Sequence, residues 1–255
     1  MEIDLVISAI IQARLNSTRL PNKTFAEIEG YPLIWHIINR IKKSMRINDI
    51  VVATTINKED DLLGEWCGKN NIKSFRGSEN NVLERYYFAA LESHTDIIVR
   101  VTADDPFKDP EITDEVIDFM IEEKLEFAYN NNPPSYPEGL DTEVFTMEAL
   151  KKAYETSTDA FEHEHVTQYF YKNPLLIKQG NCSYHSDLSH LRWTIDKVQD
   201  LEMARTVYKY LFNDKEVFLF RDILQLLEVN SWISEINSGV ERSDMYRKGM
   251  SNEKN

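Results

Sequence analysis

The chain is poor in the residues that mark the commonest short motifs. It has two cysteines, Cys67 and Cys182, with no CxxC pair, so a zinc ribbon and a dithiol redox site are excluded. The same scarcity leads us to expect the reducing cytoplasm. It has eight glycines, no two of them two residues apart, so the GxGxxG loop of dinucleotide dehydrogenases is absent. The GxxxxGK[ST] phosphate loop is absent as well. Long apolar runs are missing: the most apolar stretch near the start, residues 5–11, is too short to span a bilayer. Glu2 and Asp4 stand where a secretory signal would carry positive charge, so neither a targeting segment nor membrane insertion is expected. Basic residues are in deficit, 29 Lys+Arg against 43 Asp+Glu for a net charge of -14. That excludes a general nucleic-acid binder, which needs a basic footprint. A local basic pocket for one phosphorylated ligand stays open.

What remains is globular. A hydrophobic fraction of 42% with 28% charged residues fits neither disorder nor coiled coil. Strand and helix patterns alternate through the first half. Strands are expected at 5–12, 49–54, 71–75 and 95–101, and helices at 32–45, 59–70, 79–93 and from Asp109-Pro110 onward. Strands separated by helices of this length imply parallel βαβ units with helices on both faces. The second half is less regular. A loop at 130–136 precedes strands at 140–145, 175–179 and 191–195, and helices at 147–156, 160–171, 198–212 and 220–229. No linker divides the chain, so one domain over 1–240 is expected, followed by a polar, fraying tail at 241–255.

The most informative segment is Gln12-Ala-Arg-Leu-Asn-Ser-Thr-Arg-Leu-Pro-Asn-Lys23, directly after the first strand. Ligands of open α/β sheets sit at the carboxyl ends of strands. Arg14, Arg19 and Lys23, with the hydroxyls of Ser17 and Thr18, offer guanidinium forks, an ammonium and donors together, as a triphosphate requires. By spacing alone, a solvated surface loop is an equal alternative. A second segment, Arg100-Val-Thr-Ala-Asp-Asp-Pro106, ends a strand on the same edge. Asp104 there could hold Mg²⁺, a hard ion that takes oxygen ligands and keeps substrate phosphates among them. Asp-Pro pairs also start turns and cap helices. Asp196 is a further carboxylate, or else the cap of a helix beginning near Lys197.

The stretch IIQARLNSTRLPNKTFAEIEGYPLIWHII resembles the opening of the cytidylyltransferases that activate sugar acids, such as acylneuraminate and 3-deoxy-manno-octulosonate cytidylyltransferases. It is most similar to the spore coat polysaccharide biosynthesis protein F branch. The family pattern xARxxSTRLPxKxxxxxxGxPLI is matched through Ile34. The resemblance implies an open, mostly parallel, doubly wound α/β sheet of the Rossmann-like nucleotidyltransferase (GT-A) type, with an α+β elaboration in the second half. It implies Mg²⁺-dependent transfer of CMP from CTP to an anionic sugar or sugar-acid acceptor, with release of pyrophosphate, in surface polysaccharide or glycan biosynthesis.

It also implies roles. Arg14, Lys23 and Asp104 become catalytic. Ala13, Ser17, Thr18 and Arg19 join Arg14 and Lys23 around the nucleotide, with Thr54, Thr55, Arg76, Gly77 and Arg100. Asp104 and Asp196 become metal ligands, the former in a TGDxP-like motif where Ala103 replaces glycine. Tyr136, Glu138 and Asp141, from a Y-P-x-G-x-D segment, face the acceptor with His165 and Arg192. Thr54 and Thr55 otherwise read as a strand end, and Glu138 and Asp141 as an acidic loop. His163 and His165, two apart on a helix, do not share a face and make a poor metal pair. His36, on an apolar helix, reads as structural. A homodimer is left open. Two competing functions remain: a GT-A-type glycosyltransferase using a nucleotide sugar, and a non-catalytic nucleotide-binding module.

Overall fold

The structure is a computed structural model that describes residues 5–241. Its first strand, β1 (Ile7–Gln12), is buried from Ile7 to Ile11 and half of its residues are isoleucine, as suits a strand covered on both faces. A two-residue hairpin, β2 (Glu27–Ile28) and β3 (Tyr31–Pro32), follows. Glu29 and Gly30 turn it with φ of 44° and 80°, the left-handed pair that matches strand twist. Then come α1 (Leu33–Ile41), β4 (Asp49–Thr55), α2 (Asp61–Lys69), β5 (Lys73–Gly77), α3 (Val82–Glu92), β6 (Ile97–Thr102) and α4 (Pro110–Glu122). Asp109 caps α4 by accepting from the N–H groups of Glu111 and Ile112, with Pro110 in the first turn. The second half adds β7 (Phe127–Tyr129), β8 (Glu143–Thr146), α5 (Met147–Thr156), α6 (Ala160–His165), α7 (Gln168–Lys172), β9 (Gln179–Asn181), α8 (Val198–Leu211), α9 (Phe220–Val229) and α10 (Trp232–Glu235).

Seven strands form one open sheet in the order β5-β4-β1-β6-β8-β7-β9. β8 alone runs against its neighbours β6 and β7. This reversal matters for function. Arg100 near the end of β6 pairs with Glu143 at the start of β8. Residues 136–142 therefore arrive at the same edge where β1, β4, β5 and β6 end. Alternate side chains feed two core layers: Ala9, Ile11, Val52 and Val99 pack with α1, α4 and α8, while Ile10, Val51 and Ile98 pack with α3, α5 and α7.

Three expectations are corrected. Residues 191–195 form no strand: Arg192 makes one isolated bridge to Glu138, and the backbone is tied to loops instead, with Trp193 N donating to Glu138 O and Ile195 N to Asp104 O. The strand expected at 175–179 shifts to Gln179–Asn181, because Leu175 and Leu176 lie exposed in a turn. The helix expected at 160–171 breaks at Val166, whose φ of 46° cannot continue it. The tail expected at 241–255 lies, apart from Glu241, outside the described residues.

Candidate active site

The loop after β1 is held by its own backbone and by one buried carboxylate. Asn22 N and Ser17 N both donate to Leu15 O, and the Thr24 hydroxyl donates to Arg14 O at 3.1 Å. Leu15 N donates to Asp60 Oδ1 at 2.7 Å, and the other Asp60 oxygen accepts from the Thr55 hydroxyl. Asp60 thereby ties the loop to the end of β4. Ala13 is buried and donates its N–H to Ala53 O at 3.1 Å. The Ser17 hydroxyl lies 3.5 Å from Leu20 N, and Thr18 is exposed.

From this frame the three cations reach in different directions. Lys23 turns inward. Its Nζ donates to Asp104 Oδ2 at 2.9 Å, to Asp196 Oδ1 at 2.9 Å and to Ile195 O at 2.8 Å. Arg19, about half exposed, meets Asp196 Oδ1 at 2.8 Å. Arg14, also half exposed, makes a longer 3.4 Å contact with Glu79. Burial alone would lower the Lys23 pKa; the two carboxylates outweigh it and raise it, so the ammonium stays charged. Burial would likewise raise the Asp104 pKa, and Lys23 outweighs that and holds the carboxyl below its ordinary value. Asp105 beside it is pushed up to about 7, above all by burial, although Lys108 sits 3.3 Å away.

Asp196 is the hub of this network. Arg192 reaches its second oxygen at 3.2 Å and also holds Glu138 at 2.6 Å and Asp200 at 3.0 Å. The helix-cap alternative for Asp196 does not hold. Lys197 occupies the cap position of α8, and Asp200 takes the N–H groups of Asp196 at 3.0 Å and Lys197 at 2.9 Å. Asp196 is thus left to face the cations.

The remaining positions are spread more widely. Thr54 is buried with its hydroxyl unpartnered at the end of β4, while Thr55 is committed to Asp60. Arg76 is braced by Thr55 O and Asn57 O, both at 2.9 Å, and by Asp61 at 2.6 Å. Arg100 does not join the cationic loop after β1: its side chain lies in the sheet layer under α7, in a 2.5 Å ion pair with Glu143, which also accepts from Thr167 and Tyr171. Tyr136 is buried against Tyr184 and Phe220, its hydroxyl 3.4 Å from Glu115. Asp141 presents its backbone oxygen to Lys108 Nζ. His165 lies edge-on to Phe161. Asp200 does the helix-end work that its place in the chain suggests, whereas Asp60, Glu79 and Arg85 were missed by sequence reasoning. Each is a single charged residue in a polar stretch, with no spacing that sets it apart.

The strand order, the single reversed strand and a loop of cations facing two carboxylates at the carboxyl edge define a nucleotidyltransferase of the open α/β class. The profile of the cytidylyltransferase family matches residues 8–232, and the chain belongs to that family. It is an enzyme, a CTP-dependent nucleotidyltransferase. It is 36% identical over 244 residues to an uncharacterized protein of Methanocaldococcus jannaschii, covering 95% of this chain and 98% of that one. It is 30% identical over 212 residues to the spore coat polysaccharide biosynthesis protein SpsF of Bacillus subtilis, covering 78% and 85% respectively. Among solved structures, a cytidylyltransferase from Leptospira borgpetersenii superposes with a TM-score of 0.85 at 31% identity, covering 90% of this chain and 96% of that one. A CMP:2-keto-3-deoxy-manno-octonic acid synthetase complexed with CTP shares the fold, with a TM-score of 0.60 at 16% identity, covering 80% and 99%. No helix among the described residues is long and apolar enough to cross a membrane.

Proposed function

We propose that this enzyme transfers CMP from CTP to a hydroxyl of an anionic sugar or sugar acid, with Mg²⁺, in the synthesis of a surface polysaccharide or glycan. The observation that carries the reading is the convergence of Lys23, Asp104 and Asp196 beneath the loop that bears Arg14 and Arg19. The acceptor class is supported by the names of relatives: the SpsF protein and several 3-deoxy-manno-octulosonate cytidylyltransferases.

The donor set suits magnesium. Two carboxylate oxygens face one point, now occupied by the Lys23 ammonium, which lies 2.9 Å from each. No group of three or more acidic, histidine or cysteine side chains able to hold a metal occurs among the described residues. Magnesium is commonly held by one or two carboxylates, with phosphate and water completing its shell. Asp104 and Asp196 would hold it, and when bound it would neutralise phosphate charge and orient the α-phosphate.

The chain's own groups do the rest. Lys23, permanently cationic, exchanges its carboxylate partners for phosphate oxygens when nucleotide enters. Arg14 and Arg19 do the same at little cost, because half-exposed ion pairs are weak. The acceptor oxygen bonds to the α-phosphorus as the bond to the bridging oxygen breaks, so that pyrophosphate leaves with that bond's electron pair and the hydroxyl proton passes to water. Positioning and fixed positive charge supply the catalysis, with no covalent protein intermediate.

The test is pyrophosphate release with each of the four ribonucleoside triphosphates against a panel of sugar acids and neutral sugars. CTP with a sugar acid is expected to give turnover. Asp104→Asn is expected to cut it by at least about a hundredfold while circular dichroism stays unchanged. Turnover with neutral sugars only would refute the acceptor class, and a fully active Asp104→Asn would refute the metal assignment.

A further inference from the structure

Arg85 is a cation that this mechanism does not use. It stands on α3 and is only 3% exposed. Its Nη1 donates to Ser78 O at 2.6 Å, and its Nε is buried without an acceptor. Among the described residues, no carboxylate comes within ion-pair distance of it. A guanidinium has five donors, and burying one with no anion is strongly unfavourable for the free protein. The neighbouring cations are not in this position: Arg76 has Asp61, Lys23 has two carboxylates, and Arg192 has three. Burial first, and then the positive charge of Arg14 nearby, lower the Arg85 pKa against the attraction of Tyr86, Asp60 and Glu79.

The backbone is shaped to place this side chain. A Cβ on Gly77 would lie 3.0 Å from Phe75 Cε1 and 3.2 Å from Arg85 Cγ. Glycine there leaves room for the Arg85 stem to run past the end of β5. Arg85, Gly77, Ser78 and Asn57 line one open cleft at the carboxyl edge, together with Glu79, the partner of Arg14.

We propose that Arg85 binds phosphate, forming with Arg14 a two-guanidinium site for an oxygen of the nucleotide's polyphosphate tail. The ligand assignment rests on the CTP reading above. The incoming oxygen gives Arg85 the anion that the fold withholds. It also lets Arg14 exchange its long contact with Glu79 for a charge-assisted bond. The free protein carries an unfavourable buried charge that the bound nucleotide relieves, so affinity and stability oppose each other at this position.

The experiment uses the full chain, with Arg85→Met and Arg85→Lys, titrated calorimetrically with CTP, ATP, inorganic pyrophosphate and cytidine, alongside thermal melting without ligand. Arg85→Met is expected to weaken CTP and pyrophosphate about 10- to 100-fold and to leave cytidine within twofold. It is expected to melt at or above the wild-type temperature. Arg85→Lys, which keeps the charge and loses the fork, is expected to fall between the two. Equal losses for cytidine and CTP, or unchanged pyrophosphate binding, would overturn the proposal. So would a lowered melting temperature in both variants, which marks a structural arginine. Wild-type protein that binds pyrophosphate and ATP but not CTP would overturn the CTP reading, while the loss in Arg85→Met would still support the phosphate site.

Discussion

Replacing Lys23 by methionine removes a charge and keeps the side chain's length. All three ammonium donors are in use, two on carboxylates and one on Ile195 O. The variant leaves Asp104 Oδ2 and Asp196 Oδ1 facing each other at no more than twice 2.9 Å. Two like charges about 5 Å apart repel by roughly 3 kcal/mol at an effective dielectric near 20. Breaking one side of a buried ion pair costs about 3–5 kcal/mol. Asp196 keeps Arg192 and Arg19, so we expect the lower end, a loss of about 3 kcal/mol at pH 7.5. The pH dependence has a definite sign. In the wild type the Asp104 pKa is depressed, so its contribution is present above the unfolded carboxylate value and is lost as pH falls through the folded one. In the variant the repulsion operates only while both groups are ionised. The stability gap therefore narrows as pH falls. Urea denaturation at pH 7.5 and 4.5, with and without magnesium, measures it. Magnesium alone should raise the melting temperature of the variant, whose inter-carboxylate point is vacated, more than that of the wild type. A loss below about 1 kcal/mol, or a gap that does not change with pH, would refute this account of Lys23.

Two further substitutions probe features outside the motifs. His36 is buried and donates to Ile28 O at 2.8 Å, and its pKa is lowered to about 4, chiefly by burial. Its neutral form is required for folding, so stability falls as pH drops below 6.5, by about 2 kcal/mol between pH 7 and 5. His36→Gln keeps a donor and should remove that share of the acid sensitivity; identical denaturation profiles for both proteins would contradict it. Asp60→Asn cannot accept from both Leu15 N and the Thr55 hydroxyl as the carboxylate does, because its amide nitrogen is a donor. It should raise KM for CTP about tenfold with a smaller effect on kcat, since a misplaced loop costs binding and orientation. An unchanged KM with a lowered Tm would reduce Asp60 to a structural residue.

Much of the fold was legible because its signals are local. Buried β-branched runs gave away β1, β4 and β6, and the Asp109-Pro110 cap marked α4, since periodicity and capping act within a few residues. The strand at 191–195 misled because Leu191, Trp193 and Ile195 alternate as a strand should, yet their backbone bonds go to Glu138 and Asp104 rather than to the sheet. The short strand β7 escaped because three residues carry too little pattern. In the site, the loop of residues 12–23 and Asp104 stood out because their chemistry is contiguous in the chain.

The sequence by itself determined the alternating α/β framework, the cationic loop after the first strand and the family to which the chain belongs. Only the tertiary structure decided what each charge faces. Arg19 and Asp196 are 177 residues apart and touch. Arg100, four residues before Asp104, is turned away into a buried pair with Glu143. Arg85, among the described residues, has no carboxylate within ion-pair distance, although Asp60 and Glu79 attract it from farther off. Reversal of β8 carries residues 136–142 to the edge where the parallel strands end, and a reversal is a property of strand pairing, which is not written in any one segment. Coulombic and hydrogen-bond energies depend on separation in space, and separation along the chain does not encode it.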